Sequence, residues 1–208
     1  MPRFSKENRE EALSITRQRL LEAAAVEFSQ KGFSQANINQ ISIAAGYAKG
    51  TIYNYFSSKQ SLVKELIAEA GAAHVAYISE NVRLVENPVM RLVKFYESGF
   101  AYIDEHPTQA RFLITTLYSP DIELRTAMFH AYQPLFSLVK QEILTSGIDL
   151  GLFREMDLQT TTNLVMTIYL GTGSNVDEQG KVFMDPHQVA EFVLHALQYT
   201  SNNSTNGE

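Results

Sequence analysis

Residues 37–56 read NINQISIAAGYAKGTIYNYF, and the fold that we predict for the chain rests on this segment. Its apolar positions predict two short helices, over residues 38–45 and 48–55, on either side of Gly46. The second helix carries a dense run of polar and aromatic residues, and Lys59 follows within one turn. This pattern predicts a helix-turn-helix whose second helix lies in a DNA groove.

The polar side chains of this stretch are the groups that reading DNA requires. Lys49 and Thr51 project from the first turn of the second helix, from which side chains reach base edges. Tyr53 and Tyr55 offer hydroxyls to phosphates, and Lys59 offers a point charge. The alternative is a helical hairpin that serves only as core. The predicted DNA-binding residues are Asn37, Asn39, Gln40, Tyr47, Ala48, Lys49, Gly50, Thr51, Tyr53, Asn54, Tyr55 and Lys59.

The charge is divided unevenly along the chain. The net charge is −6, but residues 1–64 hold nine Lys and Arg against five Glu, whereas the remainder holds eight against eighteen acidic residues. A basic segment on an acidic body is typical of a nucleic-acid reader with a separate second domain, and chance fluctuation is the alternative. Arg3, Lys6 and Arg9 are either an arm that contacts DNA or a solvated charged start.

Composition excludes several classes of protein. The chain has no cysteine, which excludes disulfides and thiolate metal sites. Its five histidines show no metal-ligand spacing, so we expect no metal and no cofactor. There is no apolar run of about 18 residues and no apolar signal core near the N-terminus. We therefore expect a cytoplasmic protein without a membrane span.

Helical periodicity dominates the rest of the chain, and no strand alternation is apparent. We predict an all-α fold of about nine helices, with a three-helix DNA-binding domain over residues 1–58. A helical ligand-binding and dimerisation domain follows over residues 59–200, and a disordered tail over residues 201–208. The further helices are predicted over residues 16–30 (with a possible start near residue 6), 57–80, 89–103, 107–118, 119–146, 157–170 and 185–200.

Three local signals define helix ends and a possible break. Ser57 and Gln60 have the spacing of a capping box, and Ser119 followed by a proline predicts another cap. Pro134 lies inside a predicted helix, where its ring clashes with the carbonyl of His130. We expect a kink or break there.

The residues around the helix-turn-helix resemble the TetR family of bacterial transcriptional regulators. The resemblance lies in RLLEAAAVEFSQKGF (residues 19–33) and INQISIAAGYAKGTIYNYFSSKQSLV (residues 38–63). It implies an all-α homodimer that binds a pseudo-palindromic DNA operator. It also implies a C-terminal domain for a small-molecule effector that relieves repression. The matching positions are Leu20, Leu21, Ala23, Ala24, Phe28, Gly32, Phe33, Ile41, Ala45, Gly46, Lys49, Gly50, Thr51, Ile52, Tyr53, Tyr55, Phe56, Ser58, Lys59 and Leu62.

The chain departs from the family pattern at the predicted DNA surface. Ser42 stands where alanine is common, and Tyr47 where valine is common. Asn39 and Gln40 occupy the positions of the usual basic residue, and Asn37 replaces a frequent threonine that also caps. These departures leave the operator sequence open.

The C-terminal helices provide candidates for an effector pocket and a dimer interface. The pocket would take a small, largely apolar effector, although aromatic and methionine side chains at helical spacing also form plain core. Glu97 and Asp104 would favour a cationic ligand only if they faced inward. The pocket candidates are Tyr96, Phe100, Phe112, Thr116, Met128, Phe129, Tyr132, Phe136 and Met166. In a monomer the apolar stripes of the last two helices could face the domain core, whereas the resemblance implies a four-helix interface with a second chain. The interface candidates are Leu158, Thr162, Val165, Met166, Tyr169, Val189, Phe192, Val193, Ala196 and Leu197.

Two other functions remain open on the sequence. One is a DNA-binding regulator without a small-molecule effector, controlled by a protein or acting as an activator. The other is an enzyme that uses the C-terminal cavity. Residues 87–200 show no nucleophile elbow, phosphate-binding glycine loop or paired acid and base, so we do not expect an enzyme.

Overall fold

The described part of the chain is helical apart from short connections and an isolated bridge between Val176 and Val182. The structure is a computed structural model that describes the backbone of residues 6–198 and the side chains of residues 8–197. The predicted all-α fold is confirmed. The predicted tail and Arg3 lie outside the described residues. The α-helices are α1 (Lys6–Gln35), α2 (Ile38–Ala44), α3 (Lys59–Arg83), α4 (Pro88–Glu105), α5 (Pro107–Leu117), α6 (Ile122–Leu138), α7 (Ser146–Asp149), α8 (Leu158–Gly173) and α9 (Pro186–Gln198).

The helix α1 is longer than its predicted core over residues 16–30 and takes the earlier of the two possible starts. The predicted apolar face is buried: Leu20, Leu21, Ala24 and Phe28 are at most 1% exposed. Gly32 adopts φ 68° and ψ 174°, which is not helical, so the regular helix stops there. Glycine reaches this conformation without the steric cost that a Cβ would add.

Helix caps explain where the later helices begin, and two of the predicted caps are wrong. The capping box of α3 is formed by Ser58 and Ser61. Ser58 Oγ accepts a hydrogen bond from the Ser61 N–H at 3.0 Å, and Ser61 Oγ accepts one from the Ser58 N–H at 3.0 Å. The predicted pair, Ser57 and Gln60, has the same spacing but starts one residue too early. The cap of α6 is Asp121, which accepts from two backbone N–H groups of the first turn, and Ser119 lies before it.

Aspartate side chains cap the last two helices. Asp157 Oδ1 accepts from the Thr160 N–H at 2.7 Å at the start of α8. Asp185 Oδ1 accepts from the His187 N–H at 2.8 Å at the start of α9. In both cases the carboxylate lies at the positive end of the helix dipole, which stabilises the first turn.

Pro134 does not break its helix. The helix α6 continues through it to Leu138, and the hydrogen-bond register changes only afterwards, in a π-helical segment, Val139–Thr145. The segment is fixed by Glu142, whose carboxylate accepts from Arg83 Nη2 at 2.7 Å and whose carbonyl accepts from Arg91 Nη1 at 3.1 Å. The register change therefore lies where two arginines bind the chain.

Packing divides the chain into two compact units. Of the described residues, the N-terminal unit comprises residues 6–72 and 106–131, and the C-terminal unit comprises residues 73–105 and 132–198. The helices α3 and α6 contribute residues to both units. This division describes packing, whereas the predicted boundary at residue 58 separates functions, and that boundary stays a prediction. Within residues 6–198, no helix is both long and apolar enough to span a membrane.

Candidate functional site

The predicted second helix of the helix-turn-helix, residues 48–55, is instead a single 3-10 turn, Thr51–Asn54. The predicted α-helix is wrong there because Gly50 precedes the turn with φ 83°, in the left-handed region. Gly46 has φ 86° and ends the preceding helix α2 in the same way. Ile52 is fully buried and anchors residues 48–55, which we call the reading segment.

Most predicted DNA-binding side chains are accessible on the N-terminal unit. Tyr53 is 54% exposed, while its neighbour Ile52 is fully buried, so the turn directs Tyr53 outward and Ile52 inward. The accessible set offers hydroxyl, amide and ammonium groups and no carboxylate, which suits phosphates and base edges. The exposed members are Asn37, Asn39, Gln40, Ala48, Lys49, Tyr53 and Asn54, and the half-buried members are Tyr47, Gly50, Thr51, Tyr55 and Lys59.

Lys59 is fixed against the end of α1. Its ammonium donates to the Ser34 carbonyl at 3.1 Å and lies 4.8 Å from the ring centroid of Phe33. Burial lowers the pKa of Lys59, and the charge of Glu27 opposes that shift. One hydrogen bond leaves two of the three ammonium donors for another acceptor. A contact between Lys59 and a phosphate stays a prediction. The contacts with Ser34 and Phe33 already fix the position of the ammonium group.

The start of α2 is tied to α1 through Glu27. The Asn37 side chain caps α2 by accepting from the Asn39 N–H at 2.9 Å, as predicted, and the Asn37 N–H donates to Glu27 Oε1 at 3.0 Å. Burial raises the pKa of Glu27, but hydrogen bonds from Lys31 and Asn37 outweigh it and hold the pKa below its usual value. Because Asn37 is used as a cap, its side chain has less capacity left for DNA.

Two hydroxyls hold the loop in front of the reading segment. Ser42 is fully buried and donates its Oγ proton to the Ala48 carbonyl at 2.7 Å. Tyr47 donates its hydroxyl to Thr16 Oγ1 on α1 at 3.2 Å. The sequence indicated Ser42 only as a departure from a family pattern. A serine at a buried helix position needs a hydrogen-bond partner, and that requirement was the available signal.

The predicted pocket residues are distributed over both units. In the N-terminal unit, Phe112 and Thr116 are buried beside a cavity of about 20 Å³, which is room for about one water molecule. Met128 is also buried there, whereas Phe129 is 55% exposed. This cavity is too small for an organic effector.

The remaining pocket candidates belong to the C-terminal unit. Tyr96, Phe100, Tyr132 and Met166 are at most 5% exposed, and Phe136 is half-buried. The Tyr96 hydroxyl donates to the Val165 carbonyl at 3.3 Å. These residues form an aromatic interior, and their role as effector contacts stays a prediction.

A buried polar cluster, which the sequence did not reveal, lies in this interior. His74 is 4% exposed, and its Nδ1 and Nε2 lie 2.7 Å from the Tyr132 hydroxyl and 2.8 Å from the Tyr169 hydroxyl. The imidazole also stacks on Tyr102, with ring centroids 4.3 Å apart. We call His74, Tyr132 and Tyr169 the histidine–tyrosine cluster. Burial raises the pKa values of Tyr132 and Tyr169 well above their ordinary value, so both phenols remain neutral.

The cluster links three helices and depends on a glycine. His74 belongs to α3, Tyr132 to α6 and Tyr169 to α8. A neutral imidazole donates through one nitrogen and accepts through the other, so one phenol donates to it and the other accepts from it. A Cβ atom at Gly99 would lie 2.6 Å from the Tyr169 hydroxyl oxygen, so only glycine leaves that ring in place.

Glu97 and Asp104, which could have bound a cationic ligand, instead contact other groups of the protein. Glu97 is paired at 3.0 Å with both Lys94 and His187, and Asp104 is exposed and accepts from the Val182 N–H at 3.0 Å. Among the described residues no group of three His, Asp or Glu could hold a metal ion.

Most of the predicted dimer residues are buried within their own protomer. Only Phe192, at 67%, and Ala196 are exposed, and Leu158 is half-buried. Leu164 on α8, which was not predicted, is 58% exposed. The dimer interface stays a prediction. The apolar residues that remain accessible for it lie on the outward faces of α8 and α9. The buried members are Thr162, Val165, Met166, Tyr169, Val189, Val193 and Leu197.

Comparison with known proteins independently supports the predicted helix-turn-helix region and the helical fold. Residues 20–66 match the family model of bacterial regulatory proteins, tetR family. The chain is 28% identical over 145 residues to the HTH-type transcriptional repressor KstR2 of Mycobacterium tuberculosis, covering 65% of this chain and 68% of that protein. It is 32% identical over 112 residues to the probable acrEF/envCD operon repressor of Escherichia coli, covering 53% and 50%.

The fold is shared with a solved regulator. FadR from Bacillus subtilis in complex with stearoyl-CoA matches with a TM-score of 0.74 and 21% sequence identity, over 86% of this chain and 95% of that one. At this identity the likeness shows the fold alone. The family model matches the residues around the helix-turn-helix, and the same all-helical fold carries them, so residues 20–66 form a domain of the type found in bacterial regulatory proteins of the tetR family.

Proposed function

We propose that this protein is a transcriptional repressor that binds a pseudo-palindromic operator as a homodimer and is released by a small, largely apolar effector. The observation that carries the proposal is the reading segment: a solvent-accessible set of amide, hydroxyl and ammonium groups around the buried anchor Ile52. An accessible surface without carboxylates, in a helix-turn-helix, has the chemistry that duplex DNA requires.

The outward faces of α8 and α9 support the proposed dimer. Leu164 and Phe192 are large apolar side chains that water reaches in the single chain, and each lies on a helix that packs on α4. Burying them against a second copy is favourable. A two-fold dimer would present two reading segments to half-sites about 34 Å apart, which is one turn of DNA.

The effector class is proposed from the aromatic interior of the C-terminal unit and from a structural relative. FadR from Bacillus subtilis was solved in complex with stearoyl-CoA. The buried aromatic and methionine side chains of this chain suit an acyl group better than a charged one. We therefore propose acyl thioesters as the first class to test, because their acyl chains are the small apolar groups that this interior suits.

Release would be a two-state shift. The helix α3 contributes residues to both units, so the chain itself connects the effector region to the start of the helix that follows the reading segment. An effector shifts the equilibrium only through its differential affinity for the two states, and such couplings are about 1–3 kcal/mol.

DNA binding is tested by charge removal at Lys49. The operator is first selected from a random duplex pool with the wild-type protein, and the selected duplex is then used as the probe. Lys49→Met should weaken operator binding, and the slope of log K against log salt should become shallower by about 0.9 for each phosphate that the lysine neutralises in the wild type. Binding is measured by fluorescence anisotropy at several salt concentrations.

The matched control for Lys49→Met is Lys181→Met. Lys181 is exposed in the connection between α8 and α9, far along the sequence from the reading segment. This control should leave both the affinity and the slope unchanged. A wild-type protein that enriches no sequence from the pool would refute the proposed function itself.

Effector release is tested with the selected duplex and a series of acyl-CoA thioesters from acetyl- to stearoyl-CoA. At least one should raise the operator Kd tenfold or more, which corresponds to about 1.4 kcal/mol of coupling. Free coenzyme A is the control, because it carries the same charge without the acyl chain. If no thioester changes the Kd, acyl thioesters are excluded as the effector class.

A further inference from the structure

The reading segment has little rigidity of its own. Its regular part is a four-residue 3-10 turn with a left-handed glycine, Gly50, before it, and Gly46 is left-handed as well. A 3-10 turn of this length has poorer hydrogen-bond geometry than an α-helix, and glycine adds backbone freedom. Contacts with neighbouring helices must therefore hold the reading segment in position.

Ser42 supplies the first contact. It lies on the buried side of α2, fully shielded from water, and its hydroxyl donates to the Ala48 carbonyl at 2.7 Å. The Tyr47 N–H donates in turn to the Ser42 carbonyl at 2.9 Å. Ser42 thus fixes both sides of the loop between α2 and the 3-10 turn.

Tyr47 supplies the second contact. Its hydroxyl reaches Thr16 Oγ1 on α1 at 3.2 Å, and Thr16 Oγ1 donates to the Ala12 carbonyl of its own helix at 2.9 Å. A tyrosine is long enough to span from the loop to α1 and rigid enough to fix the distance. The loop is thereby held to α1 as well as to α2.

We propose that Ser42 and Tyr47 are positioning residues that set operator discrimination by fixing the reading segment, with no contact to bases of their own. This inference rests on the proposed function, DNA binding by the helix-turn-helix. Base-specific contacts require defined positions of the reading side chains, whereas non-specific binding depends on charge and tolerates a mobile segment. Removing either hydroxyl would add an ordering cost to specific binding only.

The experiment compares specific with non-specific binding in Ser42→Ala and Tyr47→Phe. The probes are the duplex selected by the wild-type protein and an unrelated duplex of equal length. Each substitution should raise the specific Kd about threefold to tenfold, the size expected for one hydrogen bond. The non-specific Kd and the salt slope should not change. Amide hydrogen exchange should become faster across residues 48–55 in both variants.

The matched control is Ser29→Ala. Ser29 is also a buried serine whose hydroxyl donates to a backbone carbonyl, that of Val26 at 2.9 Å, but within its own helix α1. It should leave the ratio of the two Kd values unchanged. A change in this control equal to that in Ser42→Ala would mean that any buried hydroxyl matters, and the proposal would be overturned.

Further outcomes also test whether Ser42 and Tyr47 position the reading segment. An unchanged ratio of specific to non-specific Kd in both variants would overturn positioning, and so would exchange rates of residues 48–55 equal to those of the wild type. A Tyr47→Phe variant whose specific and non-specific Kd values rose by the same factor would overturn it for Tyr47, because the hydroxyl would then contact a phosphate directly. If the wild type selects no sequence, the proposed function fails, while hydrogen exchange still reports whether the two hydroxyls order the segment.

Discussion

Replacing His74 with phenylalanine is expected to destabilise the protein by roughly 2–5 kcal/mol, more than any surface substitution. The imidazole is the hydrogen-bond partner of two buried phenols, at 2.7 Å from the Tyr132 hydroxyl and 2.8 Å from the Tyr169 hydroxyl. Phenylalanine keeps a flat ring next to Tyr102 but offers neither nitrogen. Two buried hydroxyls would then lack their partner, and each such unsatisfied group costs about 1–3 kcal/mol.

The same physical argument predicts that a more drastic variant is less damaging. Changing His74, Tyr132 and Tyr169 together to phenylalanine removes the polar groups along with their partner. Replacing all members of a buried hydrogen-bonded set with apolar groups of similar shape is nearly neutral in favourable cases. The triple variant should therefore be more stable than His74→Phe alone, although it carries two more substitutions.

Urea unfolding measures the difference in the free energy of unfolding between the triple variant and His74→Phe. The protein concentration is held fixed, because the proposed dimer makes stability depend on concentration. His130→Phe is the control, since His130 is exposed on α6. It should change the free energy of unfolding by less than about 0.5 kcal/mol. A triple variant less stable than the single one would show that the cluster stabilises by more than mutual satisfaction of its polar groups.

Placing charge on the outward faces of α8 and α9 is expected to abolish dimerisation. Leu164→Glu together with Phe192→Glu would put four carboxylates into the proposed two-fold interface, where burial of unpaired charge is costly. A monomer engages one half-site, and the avidity of two linked sites is about 10²–10⁴. The operator Kd should therefore rise at least about a hundredfold.

Sedimentation velocity measures the dimer, and anisotropy with the selected duplex measures operator binding. Phe183→Glu is the matched control, because Phe183 is 73% exposed in the connection before α9 and outside both helix faces. It should remain a dimer with unchanged affinity. If the double variant still sediments as a dimer, the interface lies on another surface of the protein.

The local parts of the fold were predictable because their signals are local. Asn37, Asp157 and Asp185 cap helices through backbone groups two or three residues away, so the sequence alone contains both partners. Gly32 interrupts the regular part of α1 through its own backbone conformation. The cap of α3 was misplaced by one residue, because Ser57 and Ser58 both satisfy the spacing and only the observed helix start distinguishes them.

The nature of the reading segment was not predictable from periodicity. An apolar residue at Ile52 fits an α-helix and a single 3-10 turn equally well, since both bury one side chain of the segment. The difference is the left-handed conformation of Gly50, which glycine permits but does not require. The contacts of the Ser42 and Tyr47 hydroxyls then stabilise that arrangement.

Helical spacing and capping depend on neighbours in the chain, so the sequence was enough to predict a helical fold and two short elements at residues 37–56, of which the second is a 3-10 turn. Which distant side chains meet depends on tertiary packing. His74 joins residues 58 and 95 positions away, and Tyr47 joins a residue 31 positions away. Periodicity records which face of a helix is apolar, but hydrogen-bond partners depend on how those faces pack, and packing is a property of the whole fold.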